Sequence, residues 1–234
     1  MAPWVWFTIA VLTAVAGGLL LAADYGRRTA HSRERRRWAA LRSWQFVESD
    51  PVLPGRWRHG VIAQGGPGTA GDLVAGRLFT AQGRRSVKVF DHHQGGRVSA
   101  VLVAVQRAEP VVDVVIELWL PSVPFPQDAG LELLGPVGER YAFVTDLATA
   151  RPMITPELGN ICDDIGQDIP VAWLEQDWVL AAAPASSTPA RLERLLRVLG
   201  ELADQLENQP GGDGPGDGDT PVKDDDTPDR TSSY

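Results

Sequence analysis

Few residues in this 234-residue chain have both the type and the spacing to do chemistry. Asp91-His92-His93 is the first such group, and it suggests metal ligation or proton transfer. Adjacent side chains on a strand point to opposite faces, so the two imidazoles make a poor chelate. The other histidines, His31 and His59, fall far away in sequence. The group reads as a strand end with exposed polar residues. Cys162 is the only thiol, which excludes an intramolecular disulfide. It lies in the apolar spacing Leu158, Ile161, Cys162, Ile165 and is expected to pack as a core residue rather than attack as a nucleophile. Asp163-Asp164 falls opposite that stripe and reads as a solvated face. The glycine-rich Gly65–Gly71 segment (GGPGTAG) lacks the following Gly-Lys-Ser/Thr of a phosphate loop. No nucleophile elbow, zinc-protease helix or kinase signature is present. The sequence therefore predicts no catalytic residue, no metal site and no cofactor. An enzyme would need a site assembled from scattered residues.

Elements of a half-buried sheet surround these groups. Leu73–Ala81 and Ser86–His92 flank Gly83 with strand-forming residues. Val98–Gln106 is almost continuously apolar, as in a central strand covered on both faces. Val112, Val114, Ile116, Leu118 and Leu120 alternate with Asp113, Glu117 and Trp119, which predicts a strand with one buried face. Short strands are expected at Leu131–Leu134 and Arg140–Thr145, and a hairpin at Val171–Glu175 and Trp178–Ala183 around Gln176-Asp177. Short connections imply antiparallel neighbours. Thr155-Pro156 and Thr188-Pro189 read as N-cap and first-turn pairs. The second opens a helix with the apolar stripe Leu192, Leu195, Leu196, Leu199, Leu202, Leu206, which must lie across the sheet. The fold class is α+β, a mostly antiparallel sheet packed by a C-terminal amphipathic helix. Trp57, inside Arg56-Trp57-Arg58, and Trp178 are candidate core or partner-binding aromatics.

Charge is divided by segment. The net charge of -8 argues against a nucleic-acid partner. Residues 25–44 are strongly basic and residues 211–234 strongly acidic. Pro3–Ala23 holds no charged residue and is long enough to cross a bilayer of about 30 Å. The arginines follow it: Arg27, Arg28, Arg33, Arg35, Arg36, Arg37 and Arg42. A cleaved signal peptide would carry its basic residues before the apolar run. The positive-inside rule instead predicts an uncleaved single-pass anchor in the plasma membrane, with the N-terminus outside and the domain in the cytoplasm. The basic stretch reads as a topology signal on a solvated helix; contact with anionic head groups is the sharper alternative. Trp38, Leu41 and Trp44 are spaced to dock this helix on the domain or to lie in the interface. Ala10, Ala14, Gly18 and Ala22 recur every fourth residue, either as a packing face for another membrane helix or as ordinary membrane-helix composition. The expected organisation is an anchor at 1–24, a basic juxtamembrane helix at 25–44, an α+β domain at 45–209 and a disordered acidic tail at 210–234.

The order of features resembles the actinobacterial trehalose monomycolate transport factor A proteins. The resemblance rests on the N-terminal helix with Arg35-Arg36-Arg37-Trp38 and Trp44-Gln45-Phe46, and on Arg56-Trp57-Arg58-His59-Gly60-Val61. It extends to Val89-Phe90-Asp91 and to Glu175-Gln176-Asp177-Trp178 leading into Ala183-Pro184. It implies a non-enzymatic, membrane-anchored accessory protein that associates with an RND-type exporter of an envelope glycolipid. A lipid-binding module is the alternative, since a sheet and helix can enclose an acyl chain. No sequence feature bears on the oligomeric state.

Overall fold

The computed structural model describes residues 12–17, 29–108, 113–125 and 130–207. Residues 12–17 are helical, and a helix at 29–41 (α1) leads into the packed body. The strands are β1 Gln45–Asp50, β2 Thr69–Thr80, β3 Gly83–Gln94, β4 Arg97–Gln106, β5 Ile116–Trp119, β6 Glu132–Val137, β7 Arg140–Val144, β8 Val171–Glu175 and β9 Trp178–Ala183. They form one sheet in the order β1-β2-β3-β4-β9-β8-β5-β7-β6 with every pair antiparallel. The remaining helices are α2 Val61–Gly65, α3 Leu147–Ala150, α4 Pro156–Asp164 and α5 Pro189–Glu207.

The order departs from simple succession twice: β7 lies between β5 and β6, and a hairpin is inserted further in. The β8–β9 hairpin inserts between β4 and β5. Both of its strands are buried throughout. A strand apolar on both faces is stable only where both faces are covered, so the hairpin takes the centre of the sheet.

On one face, α5 and α4 pack over Val89, Val101, Val103, Leu118, Leu174 and Ala181. The stripe Leu192, Leu195, Leu196, Leu199, Leu202, Leu206 faces this core. Thr155 caps α4 by accepting from the Leu158 N–H at 3.2 Å. Trp38 and Ala39 of α1 join the same core. Trp44 lies over Gly76, where an added Cβ would be 2.3 Å from the indole, and Leu41 points to solvent.

The opposite face is also covered. A 3-10 turn at Leu53–Arg56 and α2 lie over Phe90, Leu102, Trp173, Trp178 and Leu180. This second layer corrects the one-sided strand expected at 112–120. β5 is only four residues long and buried on both sides, Glu117 and Trp119 included. The glycine-rich segment is likewise shorter than expected, because Thr69–Gly71 already belongs to β2.

Among the described residues no helix is long and apolar enough to cross a membrane. The span expected at 3–23 lies outside them except for 12–17, and the acidic tail lies outside them from 208 onward.

Candidate functional site

Two Glu-Trp pairs on neighbouring strands define the most unusual chemistry in the molecule. Glu117 and Trp119 on β5 are two residues apart and share a face, as do Trp173 and Glu175 on β8. In each pair the indole N–H donates to the carboxylate, Trp119 Nε1 to Glu117 Oε2 at 2.6 Å and Trp173 Nε1 to Glu175 Oε2 at 3.3 Å. The other acceptor positions hold the backbone of residues 58–60. Gly60 N donates to Glu117 Oε1 at 2.6 Å, Arg58 N to Glu175 Oε1 at 2.8 Å and His59 N to Glu175 Oε2 at 3.2 Å. Both carboxylates are buried, and hydrogen bonds to the charged form keep such groups soluble in the interior. Gly60 has φ +62°, and a Cβ there would be 2.6 Å from the Trp173 ring. Only glycine fits this approach.

The clamp displays a basic segment. His59 Nδ1 lies 3.2 Å from Glu175 Oε1. The adjacent Glu175 carboxylate raises the imidazole pKa above the usual value, against a smaller opposing effect of burial. Trp57 is buried, stacks on Phe90 with centroids 6.0 Å apart, and meets Trp178 edge-on at 5.8 Å. The Arg56 and Arg58 side chains are exposed.

Strand β3 links this clamp to α1. Phe90 faces the clamp, and the next residue, Asp91, faces the other layer. There Arg35 Nη2 donates to Asp91 Oδ1 at 3.2 Å, and His31 Nε2 lies 3.5 Å from Asp91 Oδ2. Arg35 is 1% exposed, which corrects its reading as a solvated or lipid-facing residue. Arg36 pairs with Glu48 and Arg42 with Glu193, each on the surface. Trp38 Nε1 donates to Glu193 at 2.7 Å, and Ser32 to Asp72 at 2.8 Å. Arg33 and Arg37 remain exposed. Arg27 and Arg28 lie outside the described residues, as do Ala10, Gly18 and Ala22 of the small-residue stripe; Ala14 falls inside the helical stretch 12–17.

The groups singled out for chemistry are placed elsewhere. His92 is buried, not an exposed strand end: its Nε2 is 2.9 Å from the Pro67 carbonyl and its Nδ1 3.0 Å from Ser99 Oγ. Burial lowers its pKa, so the neutral ring pins the loop before β2 to a bulge in the β3–β4 ladder. Cys162 is fully buried, and burial pushes its thiol up to about 12. Asp163 and Asp164 are exposed. Among the described residues no cluster of three or more His, Cys, Asp or Glu could hold a metal. The apolar void lined by Leu118, Leu158, Leu174, Leu202 and Leu206 measures about 10 Å³, far below the roughly 300–1,000 Å³ of small-molecule sites.

Reading the sequence alone missed the two carboxylates. The available signal was the i, i+2 spacing of Glu and Trp on strands otherwise made of apolar residues, which puts an acceptor beside an indole donor on one face.

Comparison with known proteins places the chain among its relatives. Trehalose monomycolate transport factor A of Mycolicibacterium smegmatis is 29% identical over 205 residues, covering 88% of this chain and 70% of that protein. The crystal structure of the mycobacterial trehalose monomycolate transport factor A, TtfA, superposes with a TM-score of 0.66 at 27% identity, covering 75% of this chain and 93% of that one. The family described as trehalose monomycolate transport factor TtfA matches residues 1–231, and the chain belongs to that family.

Proposed function

We propose that this protein is a non-enzymatic accessory factor for export of a trehalose monomycolate-like envelope glycolipid. Residues 3–23 hold it in the plasma membrane in a single pass, with the N-terminus outside and the α+β domain in the cytoplasm. Its partner is an integral transporter of the RND type. The observation that carries this reading is the docking of α1. Arg35, Trp38 and Ala39 enter the body of the domain, so the helix next to the apolar segment is part of the domain and not a loose tether. A domain that incorporates this helix is held close to the membrane surface, where it can meet a neighbour in the same membrane. The exposed Arg33 and Arg37 remain available to anionic head groups.

The test has two parts. A reporter active only in the cytoplasm, fused after Tyr234, should be active in the intact cell. Purification of the membrane form should then bring down an integral membrane transporter. Release of a shortened soluble protein would overturn the anchor. Recovery of the anchored protein without any transporter would overturn the adaptor role.

A further inference from the structure

Two helices share one outer surface. Trp38 Nε1 of α1 and Arg42 Nη2 just after it each meet Glu193 of α5 at 2.7 Å, so the end of α1 is fixed beside the first turns of α5. The inward positions of α1 are His31, Arg35, Trp38 and Ala39, and at 100° per residue Arg33, Arg37 and Leu41 fall on the other side, all exposed. On α5 the leucine stripe faces the core, and Ala190, Arg194, Arg197 and Glu201 are exposed along the back. Among the described residues, Arg33, Arg37, Arg194 and Arg197 form no ion pair, whereas Arg36, Arg42 and Arg191 do. Exposed acids on this shared surface are Glu34 and Glu201, which leaves it basic. Glu157, Asp163 and Asp164 are exposed on α4 instead, which packs toward β6 at the far edge of the sheet. Leu41 is 81% exposed on the same surface. The exposed Phe79, Leu133 and Tyr141 belong to the opposite face of the sheet, by register with Arg84, Phe143 and Trp119.

Arg56, Arg58 and Lys88 form no ion pair either, but they lie on the clamp face, and a flat bilayer touches one face of a sheet at a time. The position of α1 selects between the two. The uncharged stretch 3–23 ends six residues before Thr29, and six residues reach at most about 20 Å. Because α1 is packed into the domain, the face that carries it is the face nearest that stretch. Leu41 is eleven residues beyond Ala30, about 16 Å along the helix. An upright α1 keeps Leu41 in water, whereas a flat α1 brings it to the head groups together with Arg33 and Arg37. Arginine and leucine suit that boundary: the guanidinium forks to phosphate oxygens while its aliphatic stem and the leucine reach toward the acyl chains.

We propose that the joint outer face of α1 and α5 lies flat on an anionic lipid surface, with Arg33, Arg37, Arg194 and Arg197 at the head groups and Leu41 among them. The clamp face, with Arg56, Arg58 and Trp178, is thereby turned away from the bilayer. This orientation rests on the anchor of the proposed function. It adds α5 to the membrane contact and fixes which side of the domain a soluble or protruding partner can reach.

The full chain in phosphatidylcholine nanodiscs, with and without phosphatidylglycerol, provides the test. Single changes Ala30→Cys, Leu41→Cys, Ala190→Cys and Arg56→Cys each carry a small fluorophore; Cys162 is fully buried and stays unlabelled. Lipids with a nitroxide at the head group quench probes that lie at the surface. In discs with phosphatidylglycerol, quenching at Ala30→Cys, Leu41→Cys and Ala190→Cys should exceed that at Arg56→Cys about threefold or more. The effect at Leu41→Cys and Ala190→Cys should vanish without the anionic lipid and in about 1 M salt. It should vanish as well when Arg33→Gln, Arg37→Gln, Arg194→Gln and Arg197→Gln are combined. Those four side chains are exposed, so the combined variant should keep the wild-type urea midpoint, which separates lost contact from lost fold. Quenching at Ala30→Cys alone would overturn the proposal, because α1 then stands upright. Stronger quenching at Arg56→Cys, or quenching indifferent to the anionic lipid, would overturn it too. A chain that does not co-elute with the discs removes the anchor and this orientation together. A disc-bound chain with Leu41→Cys and Ala190→Cys unquenched keeps the anchor, denies the orientation and leaves the basic face to an acidic protein segment.

Discussion

A carboxylate buried without a cation survives only if donors replace the water it has lost. Glu117 has two, the Gly60 N–H and the Trp119 indole N–H, both at 2.6 Å. Glu117→Gln keeps the shape but substitutes a donor for one acceptor oxygen, so one N–H loses its partner. The expected cost is about 2 kcal/mol in urea unfolding. An unchanged midpoint would mean that the clamp does not stabilise the fold. His59 contributes a pH dependence of definite sign. Its folded pKa is raised by Glu175, with Glu117 acting in the same direction and Arg58 against it. The stabilisation is complete below the unfolded value of about 6.5 and is lost as pH climbs through the folded value. His31, raised by Asp91, has the same sign, and His92, lowered by burial, the opposite one. Urea midpoints of the wild type should therefore fall more steeply with rising pH near neutrality than those of His59→Gln. Parallel curves for the two proteins would remove the His59–Glu175 pair from the account. The His59–Glu175 pairing was not legible from the sequence. His59 and Glu175 are separated by 116 residues, and nothing local announces that a strand-end glutamate will reach a loop.

At the scale of elements, α1 shows why a basic helix was misread in part. Its inward positions are His31, Arg35, Trp38 and Ala39, at i, i+4, i+7 and i+8. That is the spacing of a buried helix face, but two of the four residues are cationic and so drop out of a hydrophobic pattern. Arg35 enters the interior because Asp91 waits there on β3. Elements with conventional patterns were fully readable. The hairpin around Gln176-Asp177, the Thr155 cap and the leucine stripe of α5 all occur as spaced in the sequence. The covering of β5 on its second side was not readable, because that layer is an irregular segment with no periodicity. The two kinds of arginine on α1 should separate by mutation. Arg35→Met leaves Asp91 buried beside a half-exposed histidine and should cost about 3 kcal/mol. Arg33→Met changes an exposed residue and should stay within about 0.5 kcal/mol. Equal effects in parallel denaturation experiments would deny that α1 is docked through its charge.

For the molecule as a whole, the anchor proposed for residues 3–23 and the packed domain should be separable by mutation. The apolar stretch is expected to span the bilayer with Ala10, Ala14, Gly18 and Ala22 along one face. Between helices in lipid there is no hydrophobic driving force, so association depends on close approach and on dispersion. Small side chains permit that approach. Ala14→Leu together with Gly18→Leu makes the segment more hydrophobic, which favours insertion by translocon-based scales. The same change places two bulky groups in the middle of the stripe. Any loss must then come from packing rather than from failure to enter the membrane. The double variant should reach the membrane in wild-type amounts and keep the urea midpoint of its domain, because both changes fall in the apolar stretch and not in the domain sequence. Recovery of the proposed transporter partner from detergent extracts should drop about tenfold, equivalent to about 1.4 kcal/mol of lost association. If partner recovery is unchanged while insertion and stability are normal, the stripe is ordinary membrane-helix composition. Under the proposed function the interface must then lie on the α+β domain, with the exposed Arg56 and Arg58 as the first positions to substitute.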